Sequence, residues 1–435
     1  MTEPTPSPDA PRPSFREASR FWLKLGLVSF GGPSGQIALM HAEVVERKKW
    51  VTEEQFLAGL NYCMLLPGPE AHKLAIYLGW LLHRTRGGLV AGIGFVLPAA
   101  VLLWALSWLY VAYGTVPALA GLFHGLKPAV AALVVAALLR IGGKALRSPA
   151  AHAVAAAAFL ALFAFHLPFP LVLGEAALAG FAAGRGGRSW FLLKAAPGPA
   201  APSVPPSWQG EGRRLMRVGG LGLLAWLAPV ALLAWALGPG QTLVREGWFF
   251  AKASLIGFGG AYAVLPYVGQ QAVEHFGWLQ PGQMIDGLGL AETTPGPLVI
   301  ALEFVGFLGA WNQPGTLPPL LAATLGAGLT AWMTFVPSFV WIFLGAPHVA
   351  RLSADRRTAS ILGAVTAAVV GVILNLAVWF ALHTFFPEAR GGKIDLFAIG
   401  VAVAAFIALV PGKRNPMAVI AAAAAAGLMW EVFNP

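Results

Sequence analysis

Two lysines and three glutamates stand where an apolar chain should carry none. Lys24 and Lys252 each lie six residues before an FGG triplet, at 30–32 and 258–260. A lysine inside an apolar segment costs about 3 kcal/mol on insertion scales, so its recurrence reads as an anion site or pathway. Snorkelling to the interface is the competing reading, because Lys24 is only four residues from Arg20. Glu70 directly follows a PGP triplet (67–69), with His72 and Lys73 just beyond; Glu292 precedes a second PGP (295–297), and Glu303 sits in "LVIALEFVGFLG". Such carboxylates can carry protons or pair with lysine, although Glu70 and Lys73 at helical spacing can also form a plain structural ion pair. Ser34, Gln36, Thr293 and Thr294 could donate hydrogen bonds to an oxyanion.

The backbone around these side chains is itself unusual. Gly31, Gly32 and Pro33 interrupt the first apolar stretch, Pro67, Gly68 and Pro69 the next, and Gly259, Gly260 and Gly296 recur in the second half. Glycine and proline are poor helix formers, and a non-helical backbone at membrane depth must be buried in protein or line a cavity. Broken helices aim free N–H groups and a positive dipole end at the break. Four such breaks form a plausible seat for an anion.

The chain of 435 residues is 57% hydrophobic and 11% charged, with mean hydropathy +0.69. Soluble domains carry about 25% charged residues, so this composition is that of a polytopic membrane protein. The net charge of +10 is gathered in short runs between apolar segments, the pattern of basic cytoplasmic loops; no nucleic-acid partner is implied. The single cysteine, Cys63, rules out an intrachain disulfide framework and reads as a small apolar filler. His124, His152 and His166 are isolated and read as packed or interfacial. The sequence contains no HExxH, CxxC or P-loop, so no metal, cofactor or ATP chemistry is expected.

Sliding the second half back by 228 positions superposes FGG on FGG, Trp50 on Trp278, Gln55 on Gln283 and PGP on PGP, with 15 identities in 49 aligned positions. Duplicated units are common in transporter folds. Loop charge gives the orientation: "ERKKW" (46–50) is basic, but its equivalent "EHFGW" (274–278) is not. The positive-inside rule then puts the first loop inside and the second outside. Each interrupted segment leaves arms of about 10 residues, or about 15 Å of helix, half a bilayer. Re-entrant hairpins fit this better than full crossings, which would violate the charge rule at three basic clusters.

The expected fold is therefore an all-α polytopic membrane protein of two inverted-topology repeats, each with two broken, re-entrant hairpins followed by about four spanning helices. Expected boundaries are a disordered cytoplasmic tail (1–20), the first repeat (21–184), a Pro-rich basic linker (185–216), a connecting transmembrane helix (217–240) and the second repeat (248–435), with full crossings at 150–166 and 395–411 among the spans.

The stretches "LGLVSFGGPSGQIALMH", "ERKKWV", "NYCMLLPGPEAHKLAIYLGWLLHRTRGGLVAGIGFVLPA", "FGGAYAVLPYV", "GWLQPGQMIDGLGLAETTPGPLV" and "FVGFLGAW" closely resemble the chromate ion transporter family in its long, two-domain form. The second copy departs only in reading FGGAY for FGGPS. The resemblance implies a carrier in the cytoplasmic membrane that exports chromate and confers chromate resistance. Sulfate matches chromate in charge and tetrahedral shape and stays open as an alternative substrate, and a homodimer is an open possibility. A lipid pyrophosphatase is the alternative of another class; its chemistry would want Arg and Ser at the breaks.

Overall fold

The computed structural model describes residues 13–30, 32–114, 116–186, 190–191, 211–258, 260–349, 356–387 and 393–433. Gly31 and Gly259 therefore lie outside the described residues, as do residues 1–12 of the expected tail and 192–210 of the expected linker.

The described chain is all-α, as expected. The first half comprises α1 (Phe15–Val28), α2 (Gly32–His41), α3 (Glu53–Leu65), α4 (Glu70–Tyr113), α5 (Pro117–Ala145), α6 (Pro149–Phe163) and α7 (Phe169–Arg185). A linking helix, α8 (Glu211–Leu237), leads to α9 (Thr242–Ile256), α10 (Ala261–Gln270), α11 (Pro281–Thr293), α12 (Ala301–Asn312), α13 (Pro319–Gly345), α14 (Arg356–Phe385), α15 (Leu396–Leu409) and α16 (Pro416–Phe433). Residues 15–20, read from sequence as tail, are the first turns of α1, whose N-cap Ser14 accepts from the Glu17 N–H. The linking helix likewise starts before 217, and the second half begins before 248, at Thr242.

The duplication is visible turn by turn. A π-helical turn at Ala42–Arg47 recurs at Gln271–His275, and α3 and α11 coincide at the 228-residue offset. Gln55 and Gln283 are identical because each closes a reciprocal capping box, with Thr52 and Gln280. The long α4 is two helices joined at a kink: His83 and Arg84 leave helical geometry, and Arg84 takes φ 53°. Its first arm, 70–82, corresponds to α12 and its second to α13.

Both interrupted segments of each half fold back as hairpins. At the base of the first half, the Lys48 ammonium lies 3.6 Å from the Glu17 carboxylate, the Phe21 and Trp50 rings are 5.2 Å apart, and Phe15 meets His83 edge-on at 5.5 Å. At the base of the second, Phe249 and Trp278 are 5.5 Å apart and Asn312 Nδ2 donates to the Trp278 carbonyl at 2.8 Å. The equivalent helices run antiparallel: Gly92 packs against Phe339, and further along α4 Trp104 Nε1 donates to Thr324 Oγ1 at 3.1 Å. The two bases thus lie at opposite ends of the molecule, and the tips meet between them.

The halves are also interlocked. α5 packs against α15 and α16, while α14 packs against α6 and α7. Small residues allow the close approach: Gly125 abuts the Ala423 carbonyl, Gly371 abuts that of Ala155, and Ser360 Oγ donates to the Gly180 carbonyl at 2.9 Å. Among the described residues, six helices are long and apolar enough to cross a bilayer: α4, α5, α8, α13, α14 and α16. α6 and α15, expected as full crossings, have 15 and 14 residues. At 1.5 Å per residue each reaches only about 22 Å, short of a bilayer core of about 30 Å.

Candidate functional site

The breaks find each other across the two halves. Gly68 N–H donates to the Gly257 carbonyl at 2.9 Å, and Gly296 N–H donates to the Ser29 carbonyl at 2.8 Å. These bonds are equivalents at the repeat offset, so the PGP loop of each half caps the FGG break of the other. Gly68 has φ +98° and Gly296 φ +109°, a left-handed backbone that glycine adopts without steric cost. The N–H groups that sequence reasoning offered to an anion at these two positions are already engaged with backbone.

Beside the first of these crossings lies a narrow cleft lined by Gly68, Pro69, Ser254, Gly260, Val264 and Thr334, with Leu302 and Val299 at its side. Gly260, at φ +91°, is the N-cap of α10, and Pro69 is the N-cap of α4. Two helix N-termini, one from each half, therefore open onto one space. The Thr334 hydroxyl is buried without a hydrogen-bond partner, and so is that of Ser338, which an added methyl at Gly68 would approach to 3.2 Å. Unpaired buried hydroxyls are costly and are therefore informative where they gather.

The equivalent space at the other crossing is filled. Gln36, the counterpart of Val264, is fully buried, and its Nε2 donates to the Gly296 carbonyl at 2.5 Å and to the Ser29 carbonyl at 3.4 Å. Gly26 stands where the second half has Ser254, pressed against Phe95 and Pro98 of α4. Where Gly68 meets a serine, Gly296 meets Ala99.

The remaining sequence candidates are distributed unevenly. Lys24 and Lys252 are exposed on the outer faces of α1 and α9, among exposed Leu23, Leu27, Trp248 and Leu255, and away from the cleft. Ser34 is exposed, Gly32 starts α2 at φ +71°, and Pro67 is half-buried in its loop. Thr293 Oγ1 and Thr294 Oγ1 donate to the carbonyls of Leu290 and Ala291 at 2.7 and 2.8 Å, so their protons serve the C-terminus of α11. Glu292 accepts from Tyr262 Oη at 2.5 Å. Glu303 is buried with Oε2 unpartnered.

The buried cation at the breaks is Lys73, whose ammonium donates back to the Leu66 carbonyl across the PGP loop and makes no ion pair with Glu70. Sequence reasoning named Lys73 only as a partner for Glu70. It missed Glu246, fully buried in α9 with neither carboxyl oxygen partnered. It also missed Asp286, which accepts from Tyr110 Oη at 2.9 Å and lies 3.4 Å from the Lys127 ammonium. Among the described residues no group of His, Cys, Asp and Glu could hold a metal ion.

A family model described as chromate transporter matches residues 16–181 and 244–428, both halves of the fold. The chain belongs to the chromate transporter family. Its relatives in that family include a chromate transport protein of Pseudomonas aeruginosa, 32% identical over 99% of this chain and 96% of its own. Another, from Cupriavidus metallidurans, is 28% identical over 97% of this chain and 94% of its own. An uncharacterized transporter of Bacillus subtilis, YwrB, is 29% identical over 31% of this chain and 68% of its own length. No solved structure matches. As a family member with apolar helices of spanning length, the chain is a multi-pass membrane protein.

Proposed function

We propose that the chain is a secondary transporter that carries chromate out of the cytoplasm through the cytoplasmic membrane and thereby confers chromate resistance. The observation that carries the reading is the cleft shared by Gly68 and Pro69 of one half and Ser254, Gly260 and Thr334 of the other. Helix N-termini and hydroxyls suit a tetrahedral oxyanion, and the charge of Lys73 beneath the PGP loop favours an anion over a neutral solute. A seat made from both inverted halves is reached from either side by rocking one against the other. The two repeats, taken at the helix bounds described above, and the connecting helix between them are part of this reading.

Orientation follows from charge. The base of the first half carries Arg16, Arg20, Arg47, Lys48, Lys49, Arg84 and Arg86, while that of the second is nearly free of lysine and arginine. The first base and the N-terminus are therefore cytoplasmic. A divalent anion leaving a cell that is negative inside gains about 4.6 kcal/mol per 100 mV, so the membrane potential drives export. The relatives named chromate transport proteins support chromate as the substrate.

The test is uptake of radiolabelled chromate into everted vesicles containing the full chain, with the potential imposed positive inside. Potential-dependent uptake that excess sulfate leaves largely intact is the expected result. No uptake above vesicles lacking the protein overturns the reading, and equal displacement by sulfate reassigns the substrate to oxyanions at large.

A further inference from the structure

The cleft does not end at Thr334. On α13 the positions Gly326, Thr330, Thr334 and Ser338 recur every four residues and share one stripe, and the hydroxyls of all three are buried without a partner. Facing them on α12 is Gly306, with Gly309 about one turn after it and Glu303 about one turn before it on the same helix. An added methyl at Gly306 would strike Thr330 Oγ1, so that hydroxyl lies directly against α12. At the far end of the stripe, the Glu246 carboxyl fills a notch between Gly309 and Gly326: methyls built on those two glycines would meet Oε1 and Oε2, the latter at 3.0 Å. Glu246 is 0% exposed, Glu303 is 4% exposed, and Glu246 Oε1 and Oε2 and Glu303 Oε2 all lack a partner.

No cation among the described residues offsets these carboxyls. α13 carries no charged residue between Pro319 and Gly345. Arg213, Arg214 and Arg217 of α8 lie at the opposite end of α13, where Arg214 donates to the Phe343 carbonyl; α8 meets α9 instead through Val230, against Gly247. On α9 itself Arg245 and Lys252 are exposed. The loop packed over Gly309 presents Trp278, and beyond it Glu274 is occupied by Gln270 and Trp379. An unpaired carboxyl in such surroundings is costly to bury.

We propose that Glu246, Thr330, Glu303 and Thr334 form a proton path from the base of the second half to the cleft, with Glu246 as its outer proton-binding site. Glu246 sits against Gly326, one turn before Thr330 on α13, and Glu303 lies about one turn before Gly306, the residue that faces Thr330; bridging water closes gaps of about one turn, 5.4 Å. Glu246 lies one turn inside the start of α9, so its carboxyl takes a proton from the outer face. Glu303 gives its proton through the Thr334 hydroxyl to water in the cleft and, now a carboxylate, takes the Glu246 proton by way of the Thr330 hydroxyl; Glu246 is left as carboxylate until it is reprotonated. This inference rests on the transport reading and adds to it a coupled ion and the residues that carry it.

The experiment uses the full chain in proteoliposomes, following radiolabelled chromate and a lumenal pH dye together. In the wild type, chromate movement is accompanied by proton movement in the opposite direction. Glu246→Gln keeps size and polarity but cannot carry a proton. It should lower chromate-coupled proton flux by about tenfold or more, while chromate-for-chromate counterflow, which needs no net proton movement, persists. Thr330→Val is the second variant. It removes a hydroxyl that has no partner, so a purely structural role predicts unchanged or raised thermal stability with unchanged coupling, whereas a path predicts slower proton flux.

An unchanged ratio of protons to chromate in both variants overturns the path. If Glu246→Gln loses counterflow as well, Thr330→Val decides alone, and normal coupling there overturns it. Chromate-coupled sodium rather than proton movement in the wild type also overturns it. Absence of chromate movement in the wild type overturns the transport reading itself.

Discussion

The two crossings at the centre of the molecule share a backbone and differ in side chains. Each is a glycine N–H of a PGP loop capped on a carbonyl of the opposite half, at 2.9 Å in one case and 2.8 Å in the other. Yet Val264, Ser254 and Ser338 leave a cleft at the first, while Gln36, Gly26 and Ala99 close the second. Inverted duplication supplies two equivalent crossings; in this chain one stays open as a cleft and the other is closed as a joint. A glutamine amide tied to two carbonyls holds the halves together where a valine leaves a cleft of about 10 Å³, space for about one water.

Changes at the joint should act on assembly, and changes at the cleft on transport. The largest effect is expected for Gly296→Ala. It forces a left-handed φ on alanine and places a methyl 2.5 Å from the Ala99 methyl, a combined cost of about 3 kcal/mol or more. Folded yield in detergent, followed by size-exclusion chromatography, should collapse. Gly68→Ala meets only the Ser338 hydroxyl at 3.2 Å and should survive with a smaller loss; equal yields for the two would erase the distinction. Next is Val264→Gln, which copies the plug into the open cleft. Chromate transport should fall by about tenfold or more, as expected when a ligand's seat is occupied, with thermal stability kept.

The reciprocal change, Gln36→Val, leaves the carbonyls of Gly296 and Ser29 without that donor. It should cost about 1–3 kcal/mol of stability, read as a lower melting temperature, and cost transport less than Val264→Gln does. The smallest effect is expected for Lys24→Met and Lys252→Met, whose side chains lie outside both crossings. Chromate transport should change by less than about twofold, in keeping with surface substitutions away from special features; a large loss in either would return the lysines to the site.

What could be read from the chain was whatever repeats locally. FGG, PGP and the capping glutamines recur at one offset, and hairpins and inversion follow from their spacing and from loop charge. The lysines recur too, but repetition alone did not reveal their direction. The helical phase did: Ala18, Trp22, Leu25 and Gly26 are the buried stripe of α1, and residue 24 lies across the helix from Trp22.

Glu246 escaped because it precedes the apolar run of its segment, and only tertiary packing against Gly309 and Gly326 shows it to be enclosed. The pairing of Gly68 with Gly257, 189 positions apart, left no local trace, and neither did that of Asp286 with Lys127. Such contacts are fixed by how the halves meet.

The most direct test of the central claim is a chromium anomalous-scattering map of crystals of the full chain grown with chromate. One peak beside Gly68 and Gly260, against the Thr334 hydroxyl, is the predicted result. A peak at the Gln36 crossing, or beside Lys24 or Lys252 with the cleft empty, would contradict it.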